Sequence, residues 1–408
     1  MDGAKIVIAG GGMVAGYAAK RMVELGLKPG ELAILSADTA VPYERPPLSK
    51  SFLAGKDTAE SIRINAEDFY RDQGIEVRLG TAISGLDAAG RRLRLSSGGD
   101  FRFEKLILAT GAEARHLNVP GAKLANVLYL RSLADSARIR DCAGEAKQAA
   151  VIGGGFIGME VAAVLAQKGL GVTMVLNEDR IWKRFFTPQM SQFFESYYAA
   201  RGVRFLKSAS IAELRGETGV REVVLADGSS VACQMVVAGV GARPAIEVFA
   251  GSGVELGDGV IVNEYLEASA PHIFAAGDIA NYPDLIFGKR RRVEHWDNAV
   301  SQGQHCAEAI LVKRAPFRHV PYFFSDVFDL SYEFWGDPAD ADEIVHRGDL
   351  HSSSFSVWWL RKSAVVAAFA MNRPGEERDA APGWIESGQR VSAARLSEVS
   401  RPVAEAAA

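Results

Sequence analysis

Two glycine-rich stretches carry the most chemistry in this sequence. One is Gly153-Gly154-Gly155-Phe156-Ile157-Gly158, preceded by the apolar run Ala149–Ile152; the other is Gly10-Gly11-Gly12-Met13-Val14-Ala15-Gly16, preceded by Lys5–Ala9. Gly153, Gly155 and Gly158 stand at the G-x-G-x-x-G spacing, and Gly10, Gly12 and Ala15 repeat it, with Gly16 just after the third small position. In a strand–turn–helix unit the first glycine permits a tight turn, the second lets a pyrophosphate approach the backbone, and the third lets the helix pack on the strand. Free N–H groups at the helix N-terminus, with the dipole behind them, then hold the phosphates. Glu178 follows a second apolar strand, Gly171–Leu176, about twenty residues past Gly158, where an acid accepts hydrogen bonds from a ribose and repels a 2′-phosphate. That favours NADH over NADPH at the second turn, where Phe156 and Ile157 complete the binding loop. Asp38 occupies the same slot after Leu32–Leu35. Two fingerprints mean two dinucleotides, and the pairing that makes chemical sense is FAD with a nicotinamide.

Other candidates cluster around these turns. Val41–Lys50 contains three prolines, which forbid a regular helix interior and predict a rigid, extended loop carrying Arg45 and Lys50 towards a pyrophosphate and a flavin. Leu106-Ile107-Leu108 ends in Ala109-Thr110-Gly111, and Val240-Gly241 closes a near-echo of that element in the second nucleotide unit. The echo points to duplication of one fold. Ile273–Ala276 ends in Gly277-Asp278, which puts Asp278 at the carboxyl end of a strand, where ligands of doubly wound sheets bind; its predicted partner is a ribityl hydroxyl. Arg115, Glu294, His295 and Trp296 complete the FAD candidates, and a helix capped by Asp297 or Asn298 is predicted to run to about Leu311. The histidines lack metal-ligand spacing, and no metal is expected.

These positions predict an α/β protein with two Rossmann-like dinucleotide-binding domains and a small α+β C-terminal domain. The FAD domain is expected over 1–114 and 244–319, the NAD domain over 115–243 and the third domain over 320–408. Predicted covering strands include Val220–Leu225 and Val231–Val240, and the aromatics after Pro316 are read as core or interface. The 408 residues are 48% hydrophobic and carry a net charge of −4, which suits a folded enzyme and argues against nucleic-acid binding. No apolar run is long enough to span a bilayer, the first strand starts near the initial methionine, and Cys142, Cys233 and Cys306 form no C-x-x-C pair. The expectation is a soluble, cytoplasmic monomer or homodimer.

Together the motifs resemble the FAD-dependent pyridine-nucleotide reductases of glutathione-reductase-like fold. Pro42–Lys50 stands where disulfide reductases carry paired cysteines, and resembles the branch of ferredoxin reductases, apoptosis-inducing factor and monodehydroascorbate reductases. The stretches Gly10–Ala19, Lys28–Ile34, Val172–Val175, Phe194–Tyr198, Arg291–His295 and Pro321–Ser325 are similar to monodehydroascorbate reductases in particular. The resemblance implies that Glu178 selects NADH, that Lys50 and Glu160 pair near the flavin ring, and that Arg292 and Tyr322 meet a small anionic radical. Asp326 after Ser325, Trp296 and the tail from Trp358 to Leu396 are instead similar to ferredoxin reductases. The function implied is hydride transfer from NADH to flavin, then single-electron transfer to monodehydroascorbate radical. The alternative acceptor is a small iron–sulfur or rubredoxin-type carrier, docked on the basic run Lys289–Arg292. A third reading is a redox-responsive interaction protein like apoptosis-inducing factor.

Overall fold

The computed structural model describes residues 2–407. The chain divides into two compact units: Met1–Arg45, Ala59–Glu113 and Arg243–Tyr322 form one, and Pro46–Thr58, Ala114–Ala242 and Phe323–Ala408 the other. Among the described residues no helix is long and apolar enough to cross a membrane.

The first unit is organised by the strand Asp2–Ala9, whose last four residues are all buried because parallel neighbours and helices cover it. Leu32–Leu35 lies on one side, pairing Ile6 with Leu32, and Asp100–Leu108 on the other, pairing Ala9 with Leu108. The Asp100–Leu108 strand has two roles. Its first residues pair antiparallel with Arg92–Leu95, and its last three pair parallel with Ile273–Ala275. Both glycine-motif elements of this unit therefore end at the same edge of one sheet. The helix Met13–Glu24 follows the first turn and packs on Trp296–Leu311. A side chain at Gly303 would put its Cβ 2.9 Å from the Val14 carbonyl, and Arg21 pairs with Glu308 at 2.7 Å.

Neither Asp297 nor Asn298 caps the Trp296–Leu311 helix. His295 is its N-cap residue, without a side-chain cap bond. Asp297 is turned to His319, and Asn298 donates to the Val293 carbonyl at 3.0 Å. Both side chains have found stronger partners than the free N–H groups of the first turn.

In the second unit five strands lie parallel in the order Val203–Leu206, Gly171–Val175, Gln148–Ile152, Met235–Ala238, Val127–Leu128. Phe156–Gln167 follows the second glycine turn, and an antiparallel trio, Ile211–Gly216, Val220–Leu225 and Ser230–Ala232, sits beside this sheet. The single strand expected over 231–240 is divided at Cys233-Gln234, where the chain leaves the trio and enters the parallel sheet. The C-terminal sheet runs Tyr322–Val327, Leu330–Gly336, Ala364–Met371, Ser354–Arg361, Glu343–Asp349. Its Tyr332 and Phe369 are buried and meet Trp182, Phe186 and Phe194 edge-on or tilted, and buried Phe334 meets Phe185 edge-on, so these aromatics are core. Ring pairs of this kind add about 0.5–1.5 kcal/mol each beyond their area.

The proline loop also differs from the extended segment its composition suggests. Pro46–Ser49 is a 3₁₀ turn leading, through Lys50, into the short helix Ser51–Ala54. Prolines at the first positions of a helical turn lose no hydrogen bond, because those N–H groups have no intrahelical acceptor.

Candidate functional site

In the first unit the turn after Asp2–Ala9 presses against a second backbone. Gly10 adopts φ +128°, and a Cβ there would lie 2.1 Å from the Ala109 carbonyl oxygen, so only glycine fits. Ala109-Thr110-Gly111 is thereby brought beside Gly10. Thr110 is held by a 2.6 Å hydrogen bond to the Ala245 carbonyl, and Gly111 sits at φ +70°. Gly12 is the N-cap residue of Met13–Glu24, with no side-chain cap and no acid in the first turn. A Cβ on Gly12 would meet only the Arg45 guanidinium, 3.9 Å away. Uncapped N–H groups facing an arginine across open space are what a pyrophosphate needs. Ala15 is fully buried, and Gly16 is required for a reason the motif does not contain: a Cβ would strike Ile64 Cδ1 at 2.7 Å. Ile64 and Asn65, whose Nδ2 donates to the Gly16 carbonyl at 2.9 Å, had no sequence signal.

The acids of this unit are differently occupied. Asp38 accepts from the Thr39 amide at 2.7 Å and the Tyr43 hydroxyl at 2.8 Å, so part of its hydrogen-bonding capacity already holds its own loop. Asp278 lies in the 3₁₀ turn Gly277–Ile279, whose Gly277 amide donates to Gln302 at 2.7 Å. Trp296 donates through Nε1 to Glu44 at 2.6 Å, and Tyr17 donates to the other oxygen of Glu44 at 2.5 Å. Burial, then the hydrogen bond from its hydroxyl to Glu44, pushes the Tyr17 pKa up. His295 is half-buried, and desolvation holds its pKa down to about 4, so the imidazole is neutral at pH 7. The basic run is engaged: Arg290 donates to the Val262 and Asn281 carbonyls, and Arg291 pairs with buried Asp284. Arg292 Nε meets Asp258 at 3.1 Å, and its Nη1 meets Glu294 at 2.6 Å and the Asp278 carbonyl at 2.7 Å. Burial opposes the guanidinium's charge, but Glu294 and Asp258 outweigh it and raise its pKa. Arg292 is thus clamped on two of its three nitrogens. Tyr322 is half-buried at the first position of its strand.

The second turn repeats the construction. Gly153 adopts φ +101°, with a Cβ position 2.3 Å from the Gly239 carbonyl, and a Cβ on Gly158 would lie 2.2 Å from the Gly153 carbonyl. Gly239, immediately before the predicted Val240-Gly241, is the residue the turn rests on. Gly155 is exposed, uncapped and open on its Cβ side. Ile157 is exposed beside it, and Phe156 packs edge-on against Phe323 with centroids 4.4 Å apart and is tilted against Phe185 at 5.5 Å. Glu178 is exposed past the end of Gly171–Val175, and among the described residues its carboxylate accepts no hydrogen bond. An unpartnered acid at the end of that strand fits a ribose. Arg115 lies in this unit, beside Gly241, and donates to the Ala242 carbonyl at 2.9 Å.

Lys50 belongs to the second unit and Arg45 to the first. The Lys50 Nζ lies 3.0 Å from Glu160 Oε1 and 4.9 Å from the centre of the Phe324 ring. Glu160 is buried in the first turns of Phe156–Gln167, and Ser325 Oγ donates to its Oε1 at 2.5 Å while Ser49 Oγ donates to its Oε2. Burial pushes the neighbouring Tyr198 and Tyr332 phenols well above 10, leaving both neutral. The sequence pointed to the Lys50–Glu160 pair by resemblance alone; the two serines had no signal.

Comparison with known proteins agrees with this construction. Residues 4–303 match the pyridine nucleotide-disulphide oxidoreductase family, and residues 322–407 match the reductase C-terminal domain. The chain is 38% identical over 391 residues to a peroxisomal monodehydroascorbate reductase of Arabidopsis thaliana, covering 91% of this chain and 80% of that one. It is 34% identical to the pea (Pisum sativum) monodehydroascorbate reductase, covering 92% of each. The ferredoxin reductase of the CYP199A2 system from Rhodopseudomonas palustris superposes with a TM-score of 0.94 at 34% identity, covering all of both chains. With its two glycine turns built alike and matched along nearly its whole length, this chain belongs to the pyridine nucleotide-disulphide oxidoreductase family, whose members use a flavin and NAD(P)H.

Proposed function

We propose that the protein is an NADH-dependent FAD reductase whose electron acceptor is the monodehydroascorbate radical. The observation that carries the reading is the buried Lys50–Glu160 pair in a family member without a cysteine pair. Cys142, Cys233 and Cys306 are free thiols, and burial pushes Cys233 up to about 11 and the other two upward as well, so none is poised as a thiolate. Bound flavin would supply the step between a two-electron hydride donor and a one-electron acceptor.

The residues divide this work. The Gly10–Gly12 turn, Arg45 and the Ala109–Gly111 backbone would hold the FAD, with Asp38 near its ribose and Asp278 near its ribityl chain. The Gly153–Gly158 turn would hold the pyrophosphate of NADH. Glu178 would accept a hydrogen bond from the adenosine ribose and would repel a 2′-phosphate, which favours NADH. Lys50 and Glu160 would orient the reacting rings and balance charge beside them. Arg292, oriented by Asp258 and Glu294, keeps Nη2 for an anionic substrate, and Tyr322 is the proposed second contact. The acceptor follows from the relatives: full-length proteins 34–38% identical act on monodehydroascorbate by name. A ferredoxin-type acceptor is the second reading, favoured by Asp326 and by the ferredoxin reductase superposition.

The test is NADH oxidation by the purified holoenzyme while an ascorbate-oxidising enzyme generates the radical continuously. Turnover on the order of hundreds per second is expected for a dedicated small-substrate enzyme. Rapid reduction of a ferredoxin with negligible reduction of the radical would transfer the function to the second reading.

A further inference from the structure

Glu160 is surrounded by more donors than an ion pair needs. Its carboxylate is 5% exposed, with Lys50 Nζ at 3.0 Å and Ser325 Oγ at 2.5 Å on one oxygen and Ser49 Oγ on the other. Both serines are themselves buried. A buried carboxylate whose lone pairs are met from both sides is fixed in plane and position, whereas one held by a single flexible lysine is free to turn about its last torsion. Ser49 comes from the proline turn that also delivers Lys50. Ser325 comes from Tyr322–Val327, the opening strand of the reductase C-terminal domain. The next side chain along that strand, Phe324, lies against the Lys50 ammonium. One strand therefore touches both members of the pair.

We propose that Ser325 is a positioning residue for hydride transfer, through which the C-terminal domain holds Glu160, and with it Lys50, in working geometry. The inference rests on the reading above that the pair serves the flavin. Ser49 is the matching residue on the other oxygen. Neither serine is assigned contact with cofactor or substrate; each acts through Glu160.

The experiment is a double-mutant cycle on the holoenzyme, read by stopped-flow flavin reduction with NADH and by the visible spectrum of the oxidised flavin. Ser325→Ala should lower the limiting rate about tenfold to a hundredfold, the effect of losing one hydrogen bond to a charged group. The NADH dissociation constant should stay within about twofold, because Ser325 is remote in role from the nucleotide turn. In a Glu160→Gln background the same serine change should cost less than about twofold. The flavin absorption bands should shift in Ser325→Ala and Glu160→Gln alike. Ser356→Ala is the control: Ser356 is a buried serine bonded to a different carboxylate, Glu377, at 2.6 Å, and its loss should lower the melting temperature without touching rate or spectrum. If Ser325→Ala yields no holoenzyme, Ser49→Ala enters the same cycle. An unchanged rate in Ser325→Ala, or an equal loss with and without Glu160, overturns the proposal. An unchanged rate in Glu160→Gln itself would instead remove the underlying reading of the pair.

Discussion

Glu178→Ala isolates nucleotide choice from folding. The side chain is exposed at the end of Gly171–Val175 and accepts no hydrogen bond among the described residues, so its removal breaks nothing in the folded protein. Stability should change by no more than about 0.5 kcal/mol, as for ordinary surface substitutions. What is lost appears only with nucleotide bound. A carboxylate accepting from ribose hydroxyls contributes about 1.5–3 kcal/mol per charge-assisted bond, so kcat/KM for NADH should fall roughly tenfold to a hundredfold. The loss should appear in KM, because the ribose is held equally before and during transfer. NADPH should improve at the same time, since the charge opposing its 2′-phosphate is gone. Steady-state kinetics with both nucleotides, together with a thermal melt, make the measurement. An unchanged NADH/NADPH ratio at unchanged stability would refute the assignment, because no structural defect would be present to mask it.

Two further outcomes follow from particular contacts. Glu377→Ala should destabilise the C-terminal domain by about 3–5 kcal/mol, since it strands Arg347 and Arg373, which meet Glu377 at 2.8 and 2.6 Å in a buried cluster. Burial raises the Glu377 pKa, but hydrogen bonds from Arg373, Ser356 and Arg347 outweigh it and lower the value. The stabilisation is therefore complete above the ordinary carboxylate range near 4.5 and is lost as pH falls through the lowered folded value. Melting curves of wild type and Glu377→Gln should converge in acid; a constant gap would contradict this. Gly158→Ala would place a Cβ 2.2 Å from the Gly153 carbonyl, so the helix must move off the strand at a cost of about 1–3 kcal/mol. Titration should show NADH binding weakened at least tenfold with FAD content intact, and unchanged binding would mean that the turn accommodates the methyl.

Much of the site was legible because dinucleotide turns are local. The strand–turn–helix spacing reveals both turns by itself, whereas the carbonyls that exclude a side chain at Gly10 and Gly153, those of Ala109 and Gly239, come from the ends of other strands of each unit. The strand Leu32–Leu35 and the strand Val220–Leu225 were equally readable, from apolar runs bounded by turn residues. Helix caps were not. Asp297 and Asn298 are good capping residues by type, but His319, from beyond the helix, and the Val293 carbonyl, from the turn just before it, compete for them. The proline loop failed in the opposite direction: proline count argues against helix, yet prolines at the first turn of a 3₁₀ segment lose nothing.

By itself the sequence determined where each strand–turn–helix unit of dinucleotide spacing begins, and which acids stand after the strands that follow them. Those properties depend on residues within one supersecondary unit, whose geometry repeats wherever the spacing repeats. Tertiary structure alone decided the partners of each charge. It gave Glu160 to Lys50 and two serines from distant segments, committed Asp38 partly to its own loop, and left Glu178 without a partner. It also turned a basic run that looked suited to docking into arginines engaged by Asp284, Asp258, Glu294 and backbone carbonyls. A charge's role depends on which opposite charge or dipole lies within about 4 Å of it. That distance is set by how remote segments pack, and no local spacing encodes it.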